Sequence, residues 1–532
     1  MKCKILPLIV TALLLTLVAC SDKEVDSKNT KKGEENLNKT GMPIVNEPIT
    51  ISFMTGKSPL TADDYNKLLV WEKYEEMTNI HIDWGLVPTV ELEEKRNLSL
   101  ASGDYPDVLY TAFVPDTDLV KYGEQGVFLE LNDLIDKNMP NLKKLFEEYP
   151  EIKKGLTLPD GNIYSLPTIY SPDYKSVLVV NRPWIKEEWL DAVGMGLPTT
   201  TDEFYEYLKA VKEQDPNGNG KDDEIPFGST SIDTLLYYLN GAFGVGNRGI
   251  NQPFIDMDPE TDEIRFYRIS DGYKELLQYV NKLYEDKLIE QNIYSIDANQ
   301  FQATGSEGVY GSSVTSNPES RWGIENEYVG MEPLIGPHGE QQHAYVGSPL
   351  SHTGSFVITD KNKHPAATAR WMDYFYSDEG AKLFFMGVEG ETYKKDENGD
   401  LEYVDSITKS TDGNTIQQEQ SKYFSWLGGG YPGIVKEDYF KSLPSSLKAT
   451  EKLEPYLIEE VWPKFTFSQE ENSKLAPLAS DIEKYANEMR DKFITGTISF
   501  SEWDKYVETI KKMGLEEYME IKNAAFKRYN ED

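Results

Sequence analysis

The stretch from Ile49 to Trp84 constrains the fold more tightly than any other. Ile49, Ile51 and Phe53 alternate with polar neighbours, the period of a half-buried strand. Tyr65, Leu68, Leu69, Tyr74 and Met77 then fall on or near one helix face, and Ile80, Ile82 and Trp84 alternate again. Strand, helix, strand predicts a βαβ unit, hence a parallel sheet with helices outside it. Asp107-Val-Leu-Tyr110 predicts a third strand ending in a loop with Phe113. Open α/β sheets bind ligands beyond the carboxyl ends of their strands, so Asp107, Tyr110 and Phe113, with Trp84, become candidate ligand contacts.

The alternation continues further along the chain. Val177–Val180 is a short apolar run suited to a buried strand. A helical pattern begins with Trp184, Ile185, Trp189 and Leu190, and Thr201 or Asp202 is placed to cap the next helix. Trp371, Tyr374 and Phe375 share a helix face after His364-Pro365. The tail carries three more amphipathic stretches, around Tyr485, Tyr506 and Tyr518. Rings at helical spacing read as core. With 21 Phe, 33 Tyr and 9 Trp among 532 residues, whole-chain disorder is excluded. The 90 Asp and Glu against 54 Lys and Arg give a net charge of −36. That balance argues against nucleic acid as a partner and against docking on anionic lipid through a basic face.

The N-terminus reads as an address. Lys2 and Lys4 precede a largely apolar run, Ile5 to Ala19, of about 15 residues, short of a membrane span. Leu17-Val-Ala-Cys20 resembles a bacterial lipobox, which makes residues 1–19 a lipoprotein signal and Cys20 the lipidated (palmitate-bearing) first residue. An ordinary signal peptide that happens to end in Cys is the alternative. Cys3 and Cys20 are the only cysteines, so the mature chain has neither a disulfide nor a thiol nucleophile. Residues 20–48 lack aromatics and read as a flexible tether on the outer face of the cell membrane.

Asp215-Pro-Asn217-Gly-Asn219-Gly220-Lys221-Asp222-Asp223-Glu224 is the sharpest local signal. Oxygen side chains at positions 1, 3 and 5, Gly at 6 and a carbonyl at 7 (Lys221) reproduce the first half of a calcium loop, with Asp223 and Glu224 completing the shell. Pro226 stands where an EF-hand has its bidentate glutamate, and an acidic Asn-Gly turn remains the alternative. No G-x-S-x-G, H-E-x-x-H or Walker motif is present, and no catalytic residue is nominated. Aromatics outside helical spacing suit binding: Tyr170, Arg321-Trp322 and Trp426 have the composition that stacks on sugar faces and hydrogen-bonds hydroxyls, the alternative being that such loop aromatics simply cover the core.

Several phrases together carry a family resemblance: Ala101-Ser-Gly-Asp-Tyr-Pro-Asp107, Asp160-Gly-Asn-Ile-Tyr-Ser-Leu-Pro167, Arg182 through Trp189 to Pro198-Thr-Thr, Met386-Gly-Val-Glu-Gly-Glu-Thr-Tyr393, and Lys492 through Tyr506. In this order the chain resembles the family 1 extracellular solute-binding proteins of bacterial ABC importers, in particular LipO-like lipoproteins and alginate-binding relatives. The resemblance implies an α/β, periplasmic-binding-protein-like fold of two lobes, with a hinge and an interlobe cleft. It implies residues 49–175 in lobe 1, 176–349 in lobe 2, 350–390 back in lobe 1, and 391–532 completing lobe 2. It also implies a structural Ca²⁺ held by Asp215, Asn217, Asn219, the Lys221 carbonyl, Asp223 and Glu224. The expected partners are a carbohydrate and the transmembrane subunits of an ABC permease, met by a lipid-anchored monomer that captures sugar without turnover. A binder of another solute, a sensor subunit and a surface polysaccharide-degrading enzyme are the competing readings.

Overall fold

A computed structural model describes residues 35–59, 61–428 and 431–531. Cys20 and the apolar run before it lie outside them. The chain begins with β1 (Ile49–Lys57) and β2 (Ile80–Pro88), parallel along their length and joined by the helix Leu69–Thr78. Next come β3 (Val108–Tyr110), on the other edge of β1, and β4 (Leu166–Tyr170). The chain then crosses to a second body with β5 (Arg182–Lys186), β6 (Ile225–Gly228), the hairpin β7 (Ile255–Met257) and β8 (Ile264–Phe266), β9 (Tyr310–Thr315) and β10 (Tyr328–Gly330). It returns as β11 (Leu350–Ile358), adds the hairpin β12 (Tyr393–Lys395) and β13 (Leu401–Tyr403), and ends its sheet work with β14 (Gly433–Val435). Two main sheets result, ordered β14-β4-β11-β3-β1-β2 and β10-β5-β9-β6.

The first lobe closes around rings. Phe53 packs on Trp84, Tyr110, Phe356 and Trp371 at centroid separations of 5.2–6.0 Å, and Trp71 stacks on Trp371 at 5.7 Å. The second lobe buries Trp189, Tyr207, Tyr238 and Tyr273 beneath the helices Thr201–Gln214 and Asp271–Glu285. Its core is completed by Gln469–Ile494, Trp503–Lys512 and Leu515–Glu531. The cap of Thr201–Gln214 is Thr200, one residue before the expected position. Its hydroxyl accepts from Glu203 N while Glu203 reaches back to the backbone of Thr199 and Thr200.

Three boundaries differ from the sequence expectation. Residues 36–48 are not a tether: Ile44 and Val45 are buried in the first lobe, and their amides donate to Thr78 O. Arg370 grips the same segment through Asn38 O and Gly41 O. Two aliphatic side chains suffice there because an existing helix end supplies the partners. Val177–Val180 forms no strand. Lys175–Leu178 is a single helical turn and the strand starts at Arg182, because the apolar run seals a crossing instead of entering a sheet. The last crossing follows β14, well past residue 390. β14 pairs parallel with β4, and Phe424 joins the first-lobe core, so the described residues of 391–435 belong with the first lobe.

The three crossings meet. Leu178 and Val179 from the first, Val346 from the second and Leu453 after the third form one small buried cluster. Hydroxyls tie the first crossing to the third: Tyr174 Oη lies 2.7 Å from Ser442 Oγ, and Ser176 Oγ donates to the same oxygen at 2.9 Å. This is the hinge.

Candidate ligand-binding cleft

A cleft of about 680 Å³ opens between the lobes. Its first-lobe wall is built where β3 ends and β11 begins. Antiparallel pairing of these strands brings Phe113–Thr117 beside Leu350–Gly354, with Val114 N donating to Gly354 O at 3.0 Å. The facing wall comes from Asn251–Ile255 ahead of β7, from the extended strap Pro463–Phe465 and Phe467, and from Tyr518 and Lys522 of the last helix. Both lobes therefore contribute rings and hydrogen-bonding groups to one space.

Of the four charged side chains that line the cleft, the two carboxylates, Asp116 and Glu483, accept hydrogen bonds from neighbouring hydroxyls. Thr353 Oγ1 donates to Asp116 Oδ1 at 2.8 Å. Burial raises the pKa of Asp116, and that hydrogen bond and Lys464 oppose the rise. Tyr518 Oη donates to Glu483 Oε1 at 2.9 Å. Lys522 lies over the Phe467 and Tyr518 rings at 5.1 and 5.3 Å, and burial lowers its pKa. The cleft walls partly desolvate His352, whose side chain is otherwise exposed, and with Lys464 they lower its pKa, so the imidazole is mainly neutral at pH 7. Rings interleaved with locally satisfied polar groups suit a hydroxyl-rich, amphipathic ligand.

The residues nominated from the sequence are scattered. Phe113 lines the cleft. Tyr170 ends β4 half-buried, hydrogen-bonded with Ser351 and Tyr431 near the hinge. Asp107 is an internal tie: its carboxylate accepts from Ser52 N and Oγ, fixing the start of β3 against β1. Tyr110 is 3% exposed in the first-lobe ring cluster, with Trp84 edge-on to it at 5.6 Å. Trp322 is buried against Phe301, Tyr310 and Tyr328 in a satellite core of the second lobe, while Arg321 beside it is exposed. Trp426 packs on Phe385, Phe424 and Phe440. Tyr110 and Trp84 point inward because the face of the first-lobe sheet that they occupy is covered by the ring cluster around Phe53, Trp71 and Trp371. His352, Phe254, Lys464 and Lys522, which do line the cleft, sit in no periodic or motif context; Gly354 in Ser-His-Thr-Gly-Ser was the only local hint near His352.

The acidic loop follows the helix Thr201–Gln214, which ends at Asp215 with φ of 49°. Asp215 accepts from the amides of Asn219 and Gly220, Asn217 Oδ1 accepts from Asn219 N, and Asn219 Oδ1 accepts from Lys221 N. The amides of Asn217 and Asn219 both reach Asp223, which lowers its pKa. Glu224 Oε1 is buried without a hydrogen-bond partner, and burial together with Asp215 and Asp223 raises its pKa. Converging oxygens with an orphaned carboxylate oxygen fit a hard cation. Among the described residues, no three His, Cys, Asp or Glu side chains converge as a ready-made metal cluster, so amide and carbonyl oxygens must supply part of any shell.

Residues 58–382 match the family model described as bacterial extracellular solute-binding protein. The fructooligosaccharide ABC transporter substrate-binding protein FusA of Streptococcus pneumoniae is 31% identical over 98% of this chain and 97% of its own length. Its structure in complex with kestose superposes with a TM-score of 0.73 at 30% identity, covering 91% of this chain and 99% of that one. An EF-hand mutant of FusA with fructo-nystose superposes equally well, at 29% identity. Lipoprotein LipO of Bacillus subtilis is 24% identical over 96% of both chains. The alginate-binding protein AlgQ2, in a structure without calcium ion, shares the fold at a TM-score of 0.70 and 22% identity, over 91% of this chain and 99% of its own.

Proposed function

Starting from a chain that belongs to the bacterial extracellular solute-binding proteins, we propose that it is the carbohydrate-binding component of an ABC importer. In this role it captures an oligosaccharide between its lobes and delivers it to the transmembrane subunits. The observation that carries the proposal is the interlobe cleft, whose two walls come from different lobes and carry rings beside paired polar groups. A ligand touching both walls favours the closed arrangement, since only that state makes both sets of contacts. The likeness to a fructooligosaccharide-binding protein supports sugar as the ligand class.

Three further parts belong to the same reading. Cys20 carries the lipid, and the chain acts as a monomer tethered at the outer face of the membrane; among the described residues no helix is long and apolar enough to cross a membrane. The loop Asp215–Glu224 holds a structural Ca²⁺ through Asp215, Asn217, Asn219, the Lys221 carbonyl, Asp223 and Glu224, with the orphaned Glu224 oxygen as its support. Capture proceeds without turnover. Titration calorimetry of the purified chain against kestose and against chito-, malto- and galacturono-oligosaccharides is expected to show saturable binding with at least one class. Release of reducing ends or unsaturated products would overturn the reading.

A further inference from the structure

Three residues other than glycine adopt left-handed backbone where the first-lobe wall of the cleft is built, two of them lining it. Thr111 has φ of 47°, Phe113 of 49° and His352 of 43°. A β-branched or bulky side chain is disfavoured there, and such strain persists only where the surroundings over-determine it. They do so here. Thr111 Oγ1 lies 2.6 Å from Thr55 Oγ1, and Thr111 N donates to Ser355 O at 2.7 Å. Gly354 allows the two strand ends to meet, since a Cβ on it would fall 2.0 Å from Val114 O. Arg96, 4% exposed, directs Nη1 to Ala112 O and Phe113 O, each at 2.8 Å, while Nε and Nη2 reach Asn97 Oδ1.

The product of this locking is a pair of rings in the cleft. The Phe113 and His352 centroids are 5.2 Å apart at an interplanar angle of 57°, and His352 is exposed. Neither ring is needed where it stands to fill the first-lobe core, which is built from other aromatics. We propose that Phe113 and His352 form the first-lobe stacking platform for a sugar ring of the bound oligosaccharide, and that Arg96 is the positioning residue that holds the platform loop. This inference rests on the carbohydrate reading above and names the residues that select the sugar's apolar face. A neutral imidazole offers that face an aromatic surface rather than an ammonium-like charge.

The test uses the full mature chain and whichever oligosaccharide of the calorimetry panel binds it. Phe113→Ala is expected to weaken binding by about tenfold or more and His352→Ala by about threefold or more, while Phe113→Tyr stays within about threefold of wild type. Arg96→Ala should lose affinity as Phe113→Ala does, and Arg96→Lys should recover part of it. The strain supplies a readout of its own: Phe113→Gly removes the same ring yet relieves the left-handed backbone, so it should melt higher than Phe113→Ala with the same loss of affinity. Wild-type binding that Phe113→Ala or His352→Ala leaves within twofold overturns the platform, as does Phe113→Gly melting below Phe113→Ala. If Arg96→Ala does not fold, the Phe113 and His352 variants decide alone. Wild type that binds no sugar overturns the carbohydrate reading instead.

Discussion

Arg182 Nε donates to Thr450 Oγ1 at 2.8 Å, joining residues 268 positions apart at the hinge. The same guanidinium, 3% exposed, also donates to Ser316 O at 3.0 Å and to Ser176 O and Oγ. Burial lowers its pKa to about 10 without neutralising it. One side chain thus fastens the first crossing, the end of β9 and the helix that follows the third crossing.

Removing that fastener leaves several buried acceptors unpaired. Arg182→Met is expected to lower unfolding stability by about 3 kcal/mol, and Thr450→Val by about 1 kcal/mol. Urea titration followed by tryptophan fluorescence checks both values.

His343 lies fully buried near the same hinge, and both ring nitrogens lack partners. Burial, with Arg182 adding to it, lowers its pKa to about 3. A depressed histidine pKa contributes stability above the unfolded value of 6.5, and that stability is lost as pH falls below it, because only the unfolded chain then takes up the proton. Between pH 7.5 and pH 5 the loss from this residue is about 2 kcal/mol. His343→Leu should flatten that part of the pH profile, measured as urea midpoints at the two pH values.

Glu224 gives the opposite sign. Its pKa is raised by burial and by Asp215 and Asp223, so its contribution is present at low pH and is lost as pH rises through the folded value. At pH 7 without metal, Glu224→Gln should therefore melt slightly higher than wild type. With calcium at about a hundredfold over its dissociation constant, wild type should gain about 2.7 kcal/mol, and the variant most of that gain should be missing. Melting curves in chelator and in calcium separate the two effects.

Cys20→Ser removes the sulfur that would carry lipid. The variant is expected to move from the detergent phase to the aqueous phase in detergent partitioning, with sugar affinity unchanged.

Local periodicity made β1, β2 and the helix between them legible, because each buries one face at a fixed spacing. It did not reveal which rings line the cleft. Tyr110 and Phe113 stand three residues apart on one strand exit, yet the first is core and the second lines the cleft. The difference is a left-handed turn at Thr111 and Phe113, held by Arg96 and Thr55, which no alternation encodes. His352 was equally hidden, since it reaches the cleft only when β11 returns from the other lobe. The acidic loop was the converse case: spacing alone singled out its residues, with an acidic Asn-Gly turn as the alternative reading, and the structure adds the orphaned oxygen of Glu224.

The interleaving of the lobes bears on how the protein is made. Thr168 of β4 waits for Gly433 of β14, and the helix Asp271–Glu285 packs against Gln469–Ile494. Neither body is a contiguous stretch that can settle while the remainder is still being synthesised or exported. Contacts of such long sequence separation form late and slow folding. Nearly the entire polypeptide must be delivered before either half matures, and a chain truncated ahead of the last three helices would present the second lobe's aromatic interior to solvent and to proteases.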